Sequence, residues 1–447
     1  MKMRKPYVKA RMILATSLLF GSGGVGYAQQ QFPHTDNPQA QLMALDALRR
    51  QDPRNLDNQF LYATLAASIK DHAKAAEAYE DILEENPNLP RIKLDLALSY
   101  IYLNRFSEAQ RLLQEVLKGD VPPTVRKNIQ PMLDKCEEEL KTHRLQGSFA
   151  VGMHSDTNPA SAPTSGQIAI RFAGQDLNFT LDNNARRRSD VQIFSSLAAT
   201  HDYRPLTQPL DDAELGWRTT GSLYKSEYNH NDPLNLSIVN MQTGPTFTGL
   251  DNKLNVQLGM GYTHILLDNT TFQKSLQGNI AAQYLLSDTT QIRGFIEQQR
   301  RTFSNTDETG ILDIRDGHMQ SVAIGATHAL TQKDMVDADL RVINEDTKRN
   351  FLDSTRTIVS VGYTRQFDDD WFARTGVEYS AMNFHASDPS ISLKSREDHE
   401  RSGSLTVGKS FDNITATMGY EYRDVTSNIT NFEFDNHRVT AMMSVRF

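Results

Sequence analysis

One cysteine in 447 residues, Cys136, leaves no internal disulfide and no zinc site built on cysteine pairs. An uninterrupted apolar run of about 18 residues is missing too, and mean hydropathy is -0.52, which excludes a bundle of transmembrane helices but not a barrel of transmembrane strands. Cations are the minority: 47 Lys and Arg stand against 55 Asp and Glu, a formal charge of -8. No nucleic-acid partner is expected, because that needs clustered Lys and Arg to displace counterions from phosphates. A Gly-x-Ser-x-Gly elbow and a His-Glu-x-x-His helix are absent, and the 12 His are scattered, with His264, His328 and His385 on separate segments lacking an Asp or Ser partner. The chain reads as non-enzymatic, with no catalytic residue, no metal ligand and no cofactor.

What is present falls into three segments. Residues 1–28 open with Lys2, Arg4, Lys5, Lys9 and Arg11, pass through an apolar stretch over 12–20 and close on Gly26-Tyr27-Ala28. That is the basic start, short apolar core and small-residue site of a cleaved export signal. Its removal takes away five basic and no acidic residues, moving the formal charge from -8 to -13.

Residues 29–145 carry helical periodicity, with apolar or small residues three and four apart and Asn, Asp, Gly or Pro between segments. Ala63, Ala66, Ala75, Tyr79 and Ile82 superpose on Ala97, Tyr100, Ala109, Leu113 and Val116 at an offset of 34, the tetratricopeptide period. Helices over 39–50 and 124–144 cap the stack, Pro87 ends one unit and Pro122 with Pro123 ends the next. The segment resembles the tetratricopeptide family over about two units, although the family's signature Trp and Gly are missing. The resemblance implies a concave groove lined by the first helix of each pair, which places Asp57, Thr64, Arg91, Asp95 and Tyr102 on a partner-binding surface.

From 146 to 447 the period changes to two. In 254–262 every even position is apolar and every odd one polar or Gly; Val359, Val361 and Tyr363, and Ile414, Ala416, Met418 and Tyr420, repeat the pattern. Segments of about ten residues with one greasy and one wet face read as an outer-membrane barrel. About fourteen strands are counted, near residues 146, 191, 213, 236, 253, 273, 290, 318, 334, 356, 371, 397, 414 and 437. Short joins alternate with long ones, which puts both barrel ends and the helical domain in the periplasm, although the joins 204–212 and 268–271 blur the rule. The long first loop, 156–190, folds either outward over the mouth or inward as a plug. Arg293, Glu297, Arg374, Glu378 and Arg423 are expected to face a polar lumen. Phe447, with Val445, Met443 and Ala441 on its face, looks like the C-terminal signal that such barrels present to the barrel assembly machinery.

Gly403-Ser404-Leu405-Thr406-Val407-Gly408-Lys409-Ser410 matches the phosphate-loop pattern, but Phe411-Asp412-Asn413 is a turn into another strand and not the required helix. Arg186-Arg187-Arg188 reads as a solvated strand start or a contact to lipid phosphate, and Asp156-Thr157-Asn158-Pro159 as an Asx-type turn.

The fold class is thus α + β in two domains, a periplasmic tetratricopeptide-like helical domain before a transmembrane antiparallel barrel. That order, with the Asp156-Thr157-Asn158-Pro159 start of the first outer loop, resembles the surface lipoprotein assembly modifier family, which includes a branch that colonises the nematode intestine. The resemblance implies an outer-membrane translocator for a cargo lipoprotein or secreted protein, embedded in outer-membrane lipid, with a host surface as a further partner in the colonising branch. A passive porin and a surface adhesin share the architecture and stay open as alternatives.

Overall fold

The structure, a computed structural model, describes residues 38–182, 185–206, 208, 213–250, 252–305 and 312–447; the export signal read at 1–28 lies outside the described residues. The chain divides after Lys141 into two compact units.

The first unit comprises six helices: α1 Pro38–Gln51, α2 Leu56–Ser68, α3 His72–Glu85, α4 Pro90–Tyr102, α5 Phe106–Lys118 and α6 Pro123–Glu139. Their starts follow from local chemistry. Asn55 and Asp71 accept the N–H of Asn58 and Lys74, and Pro90 and Pro123 occupy first turns where no amide is needed. The repeat is visible in the backbone. Lys70 and Asn104 both take positive φ, and the next residues, Asp71 and Arg105, donate to the carbonyls of Ala66 and Tyr100 at 2.9 and 2.8 Å. All ten residues that superpose in the sequence are buried, none more than 5% exposed. Alanines at the close approaches and Tyr, Ile, Leu and Val between them make one dry core, which Cys136 joins. The last helix ends at Glu139 and not at 144. The barrel claims the following backbone: the Thr142 carbonyl accepts from Arg204 at 2.8 Å, and His143 pairs with Tyr203.

The second unit begins with β1 His143–Asp156 and a small hairpin, β2 Gln167–Phe172 with β3 Gln175–Thr180. It continues through β4 Asp190–Tyr203, β5 Ala213–Tyr228, β6 Leu236–Gly249, β7 Leu254–Leu267, β8 Thr270–Ser287 and β9 Thr290–Phe303. The remainder are β10 Gly317–Ala329, β11 Asp334–Thr347, β12 Ser354–Gln366, β13 Trp371–Phe384, β14 Glu397–Phe411, β15 Ile414–Ser427 and β16 Phe434–Arg446. Apart from β2 and β3, these fourteen strands pair antiparallel in order and close, β1 lying between β4 and β16. Every strand location expected from the alternation is occupied. At the seam, Gly147 and Phe447 exchange both backbone hydrogen bonds, at 2.8 and 3.0 Å, and the Phe447 ring covers Gly147 so closely that a Cβ there would collide with it.

Period two explains the faces. Met260, Leu276, Ile296, Val322 and Ile324 point out, each more than half exposed, while Ser226, Ser275, Ser321, Ser354 and Ser380 on the opposite face are buried. The phosphate-loop look-alike lies inside β14, with Leu405 and Val407 outward. The ends of β1 and β16 meet at the rim of short turns. At the other rim the joins are long except for 268–269, where Asp268 and Asn269 both take positive φ as a two-residue hairpin turn demands.

Candidate functional site

In the helical unit the expected groove residues do not all meet. Asp57, Phe60 and Thr64 recur at helical spacing on α2, and Arg91 and Asp95 lie one turn apart on α4, their side chains 3.9 Å from each other. The two helices are joined through Tyr79 of α3: its ring is 6.4 Å from that of Phe60, its phenol interacts with Thr64 and feels Asp95, and Arg91 lies over Phe60 at 5.2 Å. Burial pushes the Tyr79 phenol up to about 12 and the Asp95 carboxyl up to about 6, with Arg91 only partly opposing the latter. Thr64, Arg91 and Asp95 therefore form one cluster, with an aromatic floor. Asp57 stays exposed on the first turn of α2, where its charge also suits the helix dipole. Tyr102 is separate, stacked on His72 at 4.1 Å; burial lowers the His72 pKa, and its Nδ1 is buried with no hydrogen-bond partner among the described residues. Phe60 and Tyr79 were not picked out as groove residues. The i, i+3 and i+7 spacing of Asp57, Phe60 and Thr64 is the signal for the first, and nothing local marks the second.

At the long-loop rim the Asp156-Thr157-Asn158-Pro159 stretch works as a clasp. Asp156, 1% exposed, accepts from Asn158 N–H at 3.3 Å in an Asx turn and from Arg438 at 2.8 and 3.0 Å. Asn158, equally buried, donates to the carbonyls of Ala162 and Asp435, accepts from Ala162 and binds Asn436. Arg187 of the basic run pairs with Asp435 at 2.6 Å. The first long loop lies along the rim: Thr164 N–H donates to Glu433, Arg171 N–H to Ser390, and the Asn431 amide bonds both backbone groups of Ala169. Between these loops is a cavity of about 480 Å³ lined mainly by carbon, including Ala162, Pro163, Ile168, Leu181 and Phe432. Within the hairpin, Ile168, Ile170, Phe172, Leu177 and Phe179 share one face, and Phe172 is 72% exposed.

Inside the barrel, the charges expected to face the lumen sort into two kinds. Arg293 bonds Asp339 at 2.9 and 3.0 Å, Arg374 bonds Asp337 at 2.6 and 2.9 Å, and Arg423 joins Arg356 on Glu400. Glu297 and Glu378 make no ion pair among the described residues. Three of these pairs span a strand, that of Arg356 with Glu400 passing Ser380 of β13, and two of the three pass a glycine. Gly325 lies between Arg293 and Asp339, and Gly362 between Asp337 and Arg374, each so close that a Cβ would collide with the pair. The same device appears without charge where Gln242 reaches Asn279 at 2.8 Å across Gly259. Such pairs cancel one another's charge along the wall. The arrangement offers a polar surface.

A family model described as surface lipoprotein assembly modifier matches residues 207–447, more than half of the sequence. The chain belongs to the surface lipoprotein assembly modifier family. Two tetratricopeptide models match residues 34–90 and 66–126, in agreement with the repeat in α2 to α5. No curated protein matches at a significant level. Among solved structures, the chain is similar to OmpT, an outer membrane protein of Vibrio cholerae, at 11% identity over 69% of this chain and 98% of that one, with a TM-score of 0.40. It is also similar to the outer membrane channel DcaP of Acinetobacter baumannii, at 10% identity over 68% and 97%, with a TM-score of 0.36. As a member of the surface lipoprotein assembly modifier family, the chain acts at the outer membrane in surface lipoprotein assembly, with a lipoprotein as cargo.

Proposed function

We propose that the protein is a non-catalytic translocator: the helical unit takes up a segment of the cargo lipoprotein in the periplasm, and the barrel gives it a polar route to the cell surface. The observation that carries this is the meeting of β1 and β16 at the short-turn rim, where Gly147 and Phe447 pair. Short turns mark the periplasmic side of outer-membrane barrels, so the chain enters the barrel from the compartment where lipoproteins arrive. Phe60, Thr64, Arg91 and Asp95, held over the buried Tyr79, are the surface that receives the cargo segment. Paired charges and amides along the lumen weaken its hold on the passing segment. Folding of the cargo outside supplies the driving force, and Val445 and Phe447 are read by the barrel assembly machinery during insertion.

Photo-crosslinking residues placed at Thr64 and Arg91 test the reading in cells. A cargo lipoprotein joined at both positions, and lost from the surface when residues 38–141 are deleted with the barrel still inserted, is the expected result. Surface display unchanged by that deletion would contradict it. A second reading, a host-binding adhesin, draws support from the exposed apolar face of the β2–β3 hairpin. Replacing Phe172 and Phe179 by Ser would then abolish host attachment and leave lipoprotein display intact.

A further inference from the structure

Outside the barrel, the apolar belt ends below the long-loop rim, and what stands above it differs round the circumference. On β7 to β10 the outward positions just past Tyr262, Leu276, Ile296 and Val322 include His264, Lys274, Arg300 and His318. Register sets these four side by side. His264 faces Lys274, Arg300 faces His318, and Lys274 and Arg300 are diagonal neighbours, since Lys274 faces Thr302 and Arg300 faces Leu276. Directly opposed side chains begin about 5 Å apart and diagonal ones about 7–8 Å, so a single phosphorylated headgroup spans the strip. Gln298 and Gln320 face each other one outward step below.

Lys274 and Arg300 are exposed, and among the described residues neither makes an ion pair. Elsewhere at this height, among the described residues, lysine and arginine are balanced or missing. Lys225 is held by Glu227 at 2.7 Å, Arg401 faces Asp424, and β11 to β13 present Asn344, Asp346, Thr355 and Asn383. Among the described residues only Asp346, opposite His318, borders the strip with an acid. Cations crowded together at the edge of a low-dielectric belt repel one another unless the surroundings bring the counter-charge, and the surroundings here are lipid headgroups.

We propose that this strip binds the phosphates of a phosphorylated glycolipid in the membrane around the long-loop rim. Arg300 supplies the forked donor that fits a phosphate, Lys274 a point charge, His318 and the Nδ1 of His264, whose Nε2 meets the Thr271 hydroxyl, further N–H donors, and Gln298 and Gln320 amides for the sugar. Which leaflet delivers the lipid rests on the long-loop rim facing outward; the binding itself does not.

The test uses the purified full chain in detergent, titrated in native mass spectrometry with bis-phosphorylated lipid A, with the same lipid after phosphatase treatment, and with inorganic phosphate. The parent should bind the phosphorylated lipid about tenfold or more above the dephosphorylated one, and inorganic phosphate should not compete at equal concentration. Lys274→Gln with Arg300→Gln should remove that preference, and Arg401→Gln should keep it. Equal binding of the two lipids by the parent, or an unchanged preference in the double variant still folded by its heat-shifted gel mobility, would overturn the proposal. Competition by free phosphate at equal concentration would overturn it too, as a general anion site. Should the double variant not fold, the single variants decide, each expected to weaken binding about threefold or more.

Discussion

Large apolar side chains are the least exposed in the helical unit and the most exposed in the barrel. Ile82, Leu113 and Ile129 are at most 2% exposed, whereas Met260, Leu276 and Ile324 are 76, 64 and 58% exposed. Among the described residues the second unit adds only Ala150, Ala162, Phe194, Phe303 and Val425 to the buried apolar residues, and the barrel interior is lined instead by serines, amides and ion pairs. One chain therefore meets two solvents. Water drives the helices to bury alanine and leucine, and lipid lets the strands turn the same residue types outward while the backbone bonds round a closed ring.

Substitutions that separate the two solvents sharpen this contrast. Leu113→Ala, in the dry core, should cost about 2–5 kcal/mol, seen as early loss of helical circular dichroism on heating while the barrel keeps its heat-shifted gel mobility. If both signals fell together, the units would share a core. Next in size is a pair at similar exposure: Ile324→Arg on the outer belt should cost about 2–4 kcal/mol near the bilayer midplane, measured by urea titration in vesicles. Met43→Arg on α1, where the native side chain is 73% exposed, should stay within about 0.5 kcal/mol. Equal costs would remove the lipid-facing assignment.

The Asp95 carboxyl, raised to about 6, gives a pH signature to the helical unit alone. A folded-state pKa above the unfolded value near 4 means its stabilising contribution is full in acid and is lost as pH rises through about 6. Helical melting should show that fall, and Asp95→Asn should flatten it and raise stability at pH 7 by on the order of 2 kcal/mol. A melt unaffected by pH between 4 and 7 in the parent would contradict the burial of Asp95. The smallest effect is at Lys70, held at φ 67 where Asn104 sits in the matching turn; Lys70→Gly should add about 1 kcal/mol to helical stability and nothing to the barrel.

What could be read without coordinates follows from the same physics. Strands in lipid alternate because one face is greasy, so all fourteen barrel strands could be located, and the 34-residue repeat located α2 to α5. The β2–β3 hairpin lies within the expected loop 156–190 although its residues alternate, because six-residue strands are too short to cross a bilayer. The clasp at Asp156 and Asn158 was legible only as a turn. Its partners, Asp435, Asn436 and Arg438, are nearly the whole barrel away in sequence and adjacent only because the ring closes. In the groove, helical position grouped Thr64, Arg91 and Asp95, but Tyr79, which joins them, belongs to another helix. Tyr102 shares a face with Arg91 in the helical pattern yet stacks on His72, because ring contacts depend on the neighbouring turn.

The role in surface lipoprotein assembly is most directly tested by quantitative proteomics of protease-shaved intact cells, comparing the parent strain, a deletion strain and the deletion complemented with the intact gene. One or a few lipoproteins should leave the shaved fraction on deletion, accumulate in the periplasm, and return on complementation. A shaved lipoprotein profile identical in all three strains would contradict it.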